Sequence, residues 1–505
     1  MADTKVILGT AFVTDKGEWV KGTAYEENDI VHTTDGVYMS LVDNNNAETT
    51  DTSSWRVWVD KADINATVDA AVKKSETDTA AAVKNAEAAT EAATTAAATA
   101  NTAATTIDDK IATKAEQTDL DATNAEVAKK LNKTDLFNYL YPTYTLEESS
   151  NPSFTVSPKD SVAYTEYMKQ VGGYMFYFKN GVAYAAKLNA SNWNKFADGT
   201  SASSVASKCE TFVHVPRCHF FGNGKTMRFG GLMDIGGHYF DSPSWVGAYE
   251  MYVDDSGVGH SRPDVTPAHS KTMSAFWNCA QALHSNAGLA NYGFYCLINA
   301  LFQLGYGNLN SQSAVGTGGQ TSSWESWRDV AMGYGRSIGD GSGTAATSMS
   351  GQNCVKLFGF EDLWGKLWEF RPGIRFYYSD SVRHAVVYGG NVVSNTATGR
   401  DFTVPLLNAG GAYVTKMQLG EYWDMIPVAV GGGSATYYCD GYWDASGGEL
   451  LFVGAHAYNG ALCGVSFASS APGFSVSWTD LGARLAFYGE PEIVSGSELV
   501  AMVGA

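Results

Sequence analysis

Apolar and polar positions follow three different rules along this chain. Residues 1 to about 58 alternate short β-prone runs with turn residues. From Val59 to Leu136 there is no glycine, proline or aromatic residue, and uncharged residues recur at 4-3 spacing through Val68, Val72, Ser75, Thr79, Ala82, Ala86, Ala89, Ala93, Ala96, Ala100, Ala103 and Ile107. A 3.5-residue repeat is the seam of a left-handed coiled coil, so it predicts a helical stalk with partner helices of the same kind. Fully helical, the segment spans about 115 Å. A competing reading takes Ala88 to Thr106, built of Ala and Thr with one Glu and one Asn, as a low-complexity solvated linker. A solvated tract has no reason to keep charge off one stripe, which favours the coiled coil. The register slips near Lys110 and Ile111 and resumes through Leu120, Asn124, Val127 and Leu131.

From about Tyr139 glycine, serine and aromatics return. Helices are predicted at Lys271 to Ser285 and Ala287 to Gly305, with Ala275, Asn278, Cys279, Ala282 and Leu283 on one face of the first. Short strands and long loops fill most of the remainder, as in a mixed α+β domain. The predicted fold class is multidomain: a small all-β N-terminal module over 1–58, an α-helical coiled-coil stalk over 59–138, a C-terminal α+β domain over 139–490 and a tail over 491–505. Whether Pro142 to Val205 belongs to that domain or forms a separate knob is open at this point.

The net charge of −19 argues against a nucleic-acid partner, which needs clustered Lys and Arg. No run approaches the roughly 20 apolar residues of a membrane span, and Met1 to Gly9 lacks the long apolar stretch of a secretory signal. The 7 cysteines, at irregular spacing and without a CxxC pair, predict reduced, mostly buried thiols rather than a metal site, in keeping with assembly in a cytoplasm.

In the N-terminal module, Trp19, Tyr25, Asn28-Asp29, Val31, Asp35-Gly36, Tyr38 and Trp55 follow in an order that resembles the small chitin-binding-type carbohydrate modules. Asn28 departs from that pattern, standing where the family usually has glycine, and the loop between Val42 and Trp55 is long and polar. The resemblance implies possible stacking of sugar rings on Trp19, Tyr25, Tyr38 or Trp55. The same aromatics are equally the natural core of so small a module, and that reading is preferred. Such modules also join fibre proteins to phage particles.

Two motifs mark the C-terminal domain. Phe358 to Phe370, with Trp364-Gly365-Lys366-Leu367-Trp368-Glu369-Phe370 at its end, resembles the signature of the formylglycine-generating-enzyme branch of the C-type lectin fold. Val246 to Glu250, Pro267, Ser270, Ser274 and Trp277 resemble the same branch in order and spacing. Phe452 to His456, Asn459-Gly460-Ala461, Gly464, Ser475 and Leu481 to Leu485 resemble the closing pattern of that fold in the variable proteins of diversity-generating retroelements. Most of these are framework residues: Trp364, Trp368 and Phe370 as core, Gly454, Gly460, Gly464 and Gly482 as turns or close approaches. Glu369 and Arg484 are expected either as internal polar partners or as ties of the final strand to the domain.

Gly454 to Ser477 contains no Lys, Glu, Gln, Met or Trp. Adenine-directed mutagenesis in the resembled systems does not reach those types, so the resemblance implies a diversified, solvent-facing surface. The candidate receptor-contacting positions are Ala455, His456, Tyr458, Asn459, Ala461, Cys463, Val465, Ser466, Ala468, Ser470, Phe474 and Val476. A plainer cause of the same composition is glycine-rich β structure.

Formylglycine chemistry needs two suitably spaced cysteines, but Cys463 stands alone in the terminal motif and Cys439 lies too far upstream. The 9 histidines form no iron-binding cluster. No catalytic residue, metal ligand or cofactor is therefore expected, and calcium is left open. The resulting expectation is a non-enzymatic receptor-binding fibre of a tailed phage, a homo-oligomer and specifically a trimer, assembled in the host cytoplasm and carried on the virion. Its N-terminus is expected to contact a tail, baseplate or fibre protein, and its C-terminus a bacterial surface glycan or protein, with no membrane insertion. A polysaccharide-degrading tailspike and a bacterial adhesin are the alternatives, the former requiring paired carboxylates beside a sugar cleft.

Overall fold

A strand whose residues alternate inward and outward needs only one apolar partner face, and Asp29–His32 is of that kind. The computed structural model describes residues 4–8, 11–34, 36–60, 141–146, 153–155, 157–319, 324–334, 336–344 and 353–504, with isolated helical positions at Lys73, Lys74, Thr77, Lys84, Thr90, Asp121, Ala122, Asn138 and Leu140. The chain divides into two compact units, Met1–Leu120 and Asp121–Ala505.

In the first unit Thr4–Leu8, Ala11–Glu18, Asp29–His32, Gly36–Ser40 and Trp55–Asp60 form one five-stranded sheet in that order. Its core is Tyr25, Val31 and Trp55, with the Tyr25 and Trp55 rings edge-to-face at 5.5 Å. Trp19 and Tyr38 pack half-buried against them. Asn28 adopts a left-handed φ of 70°, a conformation that asparagine tolerates and that explains its presence at a position where the resembled modules carry glycine. The polar loop before Trp55 is pinned by buried Asn45, whose amide donates to Ser40 Oγ and the Ser54 carbonyl.

The expected fold class requires correction at its centre. Strands dominate the described residues, the longest helix among them is Tyr292–Tyr306, and no long coiled-coil helix is among them. The seam from Val68 to Ile107 lies outside the described residues. The 4-3 pattern was a weak basis for a stalk, because methyl-sized seam residues each remove little apolar surface from water.

In the second unit an eight-stranded sheet runs Asn192–Phe196, Val182–Asn189, Gly172–Lys179, Glu210–His214, Trp245–Glu250, Arg484–Phe487, Ala287–Leu289, with Glu492–Ile493 beside Val182–Asn189. The segment in question between Pro142 and Val205 thus contributes strands to this sheet rather than a separate knob. Residues past 490, expected as a tail, add a strand to it and a helix, Gly496–Gly504, that buries Leu499 and Val503. A seven-stranded sheet runs Asp424–Val430, Gly410–Leu419, Gly441–Asp444, Ala468–Ser470, Phe452–Val453, Trp368–Phe370, Leu481–Gly482.

Three helices follow in order: α1 (Val162–Gln170), α2 (Met273–Leu283) and α3 (Tyr292–Tyr306). In α2 the inward face is Met273, Phe276, Cys279 and Ala280, while Asn278 and Ala282 are exposed, so the predicted face is rotated from the true one. α3 starts later than predicted: Ala287–Leu289 pairs with Arg484–Phe487, and Asn291 then caps the helix by accepting from Phe294 N–H. Apolar apart from Asn299 and Gln303, α3 is buried along nearly its whole length. All 7 cysteines are buried and unbonded. Among the described residues no helix is long and apolar enough to cross a membrane.

The end of the chain joins the two large sheets. Leu481–Gly482 lies beside Trp368–Phe370, and two residues on Arg484–Phe487 enters the eight-stranded sheet. Arg484 sits at that crossing. Its Nη2 donates to Glu369 Oε1 at 2.6 Å, its Nη1 donates to the Gly247 and Ala248 carbonyls, and Nη2 also reaches the Glu361 carbonyl at 2.7 Å. Arg371 binds the other oxygen, Glu369 Oε2, at 2.6 Å. Burial works to raise the Glu369 carboxyl, but Arg484 and Arg371 outweigh it and hold the group below its usual range. Glu369→Gln leaves two buried guanidiniums without their anion and should lower stability by about 3–5 kcal/mol, read from the urea midpoint. A loss below about 1 kcal/mol contradicts the role assigned to this pair.

Candidate functional site

The terminal motif is held against Phe358–Phe370 by backbone contacts that admit no side chain. Gly454 takes φ 87°, and a Cβ there would come 2.4 Å from the Leu363 carbonyl oxygen. Gly365 N–H donates to the Gly454 and Ala455 carbonyls. Leaving this anchor, the chain forms a 3-10 turn, Ala457–Leu462. His456 caps it, its Nδ1 accepting from Tyr458 N–H, while Asn459 Oδ1 accepts from His456 N–H. The same Asn459 oxygen accepts from Trp368 Nε1 at 2.8 Å. Trp368 is thereby fixed at the centre of an aromatic cluster, with Trp443, Phe452, His456, Phe467 and Trp478 within 6.3 Å between ring centres.

Two rings of this cluster reach water. Tyr458, parallel to the His456 ring, is 66 % exposed, and Trp478 is 47 % exposed, whereas Trp368 is 8 % exposed. With half-buried Asn459 and exposed Ala461 they make a surface of broad aromatic faces and one amide. Broad exposed rings of this kind are suited to stacking and contact.

The expectation that the candidate positions all face solvent is corrected. Ala455, His456, Cys463, Val465, Ser466, Ala468 and Ser470 are buried. Buried hydrogen bonds explain several of these placements: Val465 N–H donates to Ser311 Oγ, Ser466 Oγ to Asn299 Oδ1, and Arg383 Nη2 to Ser470 Oγ. Gly464 leaves no room for a Cβ against Asp440, whose Oδ2 takes Ser466 N–H. Tyr458 and Ala461 are exposed, and Asn459, Phe474 and Val476 are half-buried. Sequence reasoning missed Trp478 and its exposed neighbours Ser477 and Thr479. Trp478 was excluded by the compositional rule itself, since the stretch was delimited by the absence of tryptophan.

In the N-terminal unit, Tyr25 and Trp55 are core residues and so are not free to stack on a ligand. A metal site is also poorly served. Cys354, Glu361 and Asp362 bring ligand atoms within 4.8 Å of one another, but Lys366 Nζ stands 3.5 Å from Asp362 Oδ2 and donates to the Val330 carbonyl. Burial lifts the Asp362 carboxyl to about 7 against the pull of Lys366. An ammonium group already supplies the positive charge that this cluster calls for.

No protein-family model matches the chain, and no curated protein does. Among solved structures, a Major Tropism Determinant P3c variant is similar at 13 % identity, covering 63 % of this chain and 72 % of that one, with a TM-score of 0.24. A superposition that loose carries no weight for fold or function.

Two outcomes follow from the geometry. Tyr458→Ala and Trp478→Ala should each shift stability by no more than about 0.5 kcal/mol, while Trp368→Ala should cost about 3–5 kcal/mol, all measurable by thermal melts. Burial also drops the His456 imidazole to about 4. Between that value and the unfolded value of about 6.5 the unfolded chain alone takes up the proton, so stability falls as pH falls through this window. The Asp480 carboxyl, 3.5 Å from His456 Nε2, is pushed up by burial and works in the opposite sense. His456→Asn, which can keep the cap, should flatten the decline between pH 6.5 and 4 in urea melts.

Proposed function

We propose that this chain is a non-catalytic receptor-binding protein of a tailed-phage particle. Its second unit grips a host-surface glycan or protein through Tyr458, Asn459, Ala461 and Trp478. One observation carries the reading: Tyr458 and Trp478 stand open to solvent on an aromatic cluster whose centre, Trp368, is fixed by Asn459. Large aromatic rings on an immobile base supply contact area at low entropic cost, which is what recognition surfaces enrich. The phage setting comes from the motif resemblances of the sequence. The similar solved structure is by its title a tropism determinant, which is said of that protein alone.

Diversification, where it operates, is proposed to act on the side chains that reach the surface, namely Tyr458, Asn459, Ala461, Phe474 and Val476, and to spare the buried positions between them. The first unit is proposed to attach the protein to the particle, and several copies to act together, so that weak single contacts add through effective concentration. Purified chain should bind host cells and compete with phage adsorption. Tyr458→Ala combined with Trp478→Ala should weaken cell binding at least about tenfold, as expected for two aromatic anchors, with melting unchanged. Undiminished binding by that variant would remove the site assignment.

A further inference from the structure

A second concavity lies in the same unit and shares no lining residue with the Tyr458–Trp478 surface. It has a volume of about 620 Å³ and is walled by α1, the strands Gly172–Lys179 and Val182–Asn189, and the loop around Ile338. Its apolar lining includes Met168, Leu188, Ile338 and Phe358. The backbone at Gly173 is seated so closely on Trp193 that a Cβ would come within 2.6 Å of the indole. Volumes of about 300–1,000 Å³ are usual for small-ligand sites.

The charge around it runs against the chain as a whole. Lys159, Lys169 and Lys187 line it, all exposed, in a protein of net charge −19. Among the described residues Lys169 pairs with Glu166 at 2.5 Å, while burial raises the Asp340 carboxyl and Lys159 pulls it down against that burial. Lys159 Nζ lies 5.5 Å over the Tyr306 ring, and the stem of Lys187 passes 3.6 Å from where a Gly172 Cβ would stand. The one acid in the lining, Asp340, is engaged by the protein itself: Oδ1 accepts from Phe358 N–H at 2.5 Å and Oδ2 from the Tyr306 hydroxyl at 2.8 Å. An adjoining hollow of about 340 Å³ shares Asp340 and adds Lys356, whose Nζ donates to Ser337 Oγ, and Arg336, which is paired with Asp264.

We propose that this cleft binds an acidic saccharide, its carboxylates meeting Lys159 and Lys187 and the apolar faces of its rings lying on Met168, Leu188 and Phe358. Exposed ammonium groups beside an apolar floor match a ligand that carries both anionic groups and flat carbon faces, and the adjoining hollow lets the chain of sugars continue past Asp340 toward Lys356.

The test is calorimetric titration of the full chain with an oligogalacturonate tetrasaccharide, a neutral galactose tetrasaccharide and inorganic phosphate. The acidic saccharide should bind, at least about tenfold tighter than the neutral one, and more weakly as salt is raised. Lys159→Ala combined with Lys187→Ala, both at exposed positions, should weaken it at least about tenfold, and Ala190→Trp, which fills the cleft from its exposed edge, should abolish it. Tyr458→Ala with Trp478→Ala should leave it unchanged, so this result and the cell-binding result can fail independently. Absence of binding, equal affinity for the neutral sugar, phosphate binding as tightly as the saccharide, or full affinity in the lysine variant or in a folded Ala190→Trp variant would each overturn the proposal.

Discussion

Everything that the second unit presents to solvent depends on one buried ion cluster, Glu369 between Arg484 and Arg371. Arg484 belongs to a late strand of the eight-stranded sheet, and Glu369 belongs to a strand of the seven-stranded sheet. Their contact therefore locks together two layers that the chain builds from distant segments. An isolated ion in that position would be prohibitive. It is tolerated because the Arg484 guanidinium spends its donors on Glu369 and on the carbonyls of Gly247, Ala248 and Glu361. A second buried set lies alongside it, where Lys366 faces Asp362 and Glu250 takes Leu367 N–H. Such pairs specify register more than they add stability: a strand shifted by one residue would leave a charge buried without its partner.

That framework explains why a short irregular segment can act as a surface. Gly454 and Gly464 fit the segment against Leu363 and Asp440 too closely for any other residue, and Asn459 connects the 3-10 turn to Trp368. Residues around those anchors divide sharply. Some, like Ser466, turn inward to α3, and others, like Tyr458, turn out. The exposed rings rest on that scaffold, Trp478 against Trp368 and Phe452, and Tyr458 beside His456.

What was legible in the sequence was chemical rather than geometric. The pairing of Glu369 with Arg484, the core positions of Trp364, Trp368 and Phe370, and the buried thiols all follow from residue types that have few other stable options. The aromatic core of the first unit followed from its small size. Orientation was harder. A glycine-rich segment with short strands and a 3-10 turn has no single period, so nothing in its pattern separates buried Val465 from exposed Ala461. Ala287–Leu289 reads as the start of a helix because Ala and Leu favour one, and it is a strand because the Arg484–Phe487 edge needed a partner. The seam from Val68 to Ile107 had periodicity without side-chain mass, and a long coiled-coil helix is not among the described elements.

Recognition is proposed to be carried by rings held open on the Trp368 cluster. Hydroxyl-radical footprinting of the chain, free and bound to host cell envelopes, addresses it residue by residue. The account predicts loss of oxidation at Tyr458 and Trp478 on binding, with exposed Phe221 and Met233 oxidised equally in both states. Undiminished oxidation of Tyr458 and Trp478, with protection elsewhere, would contradict it.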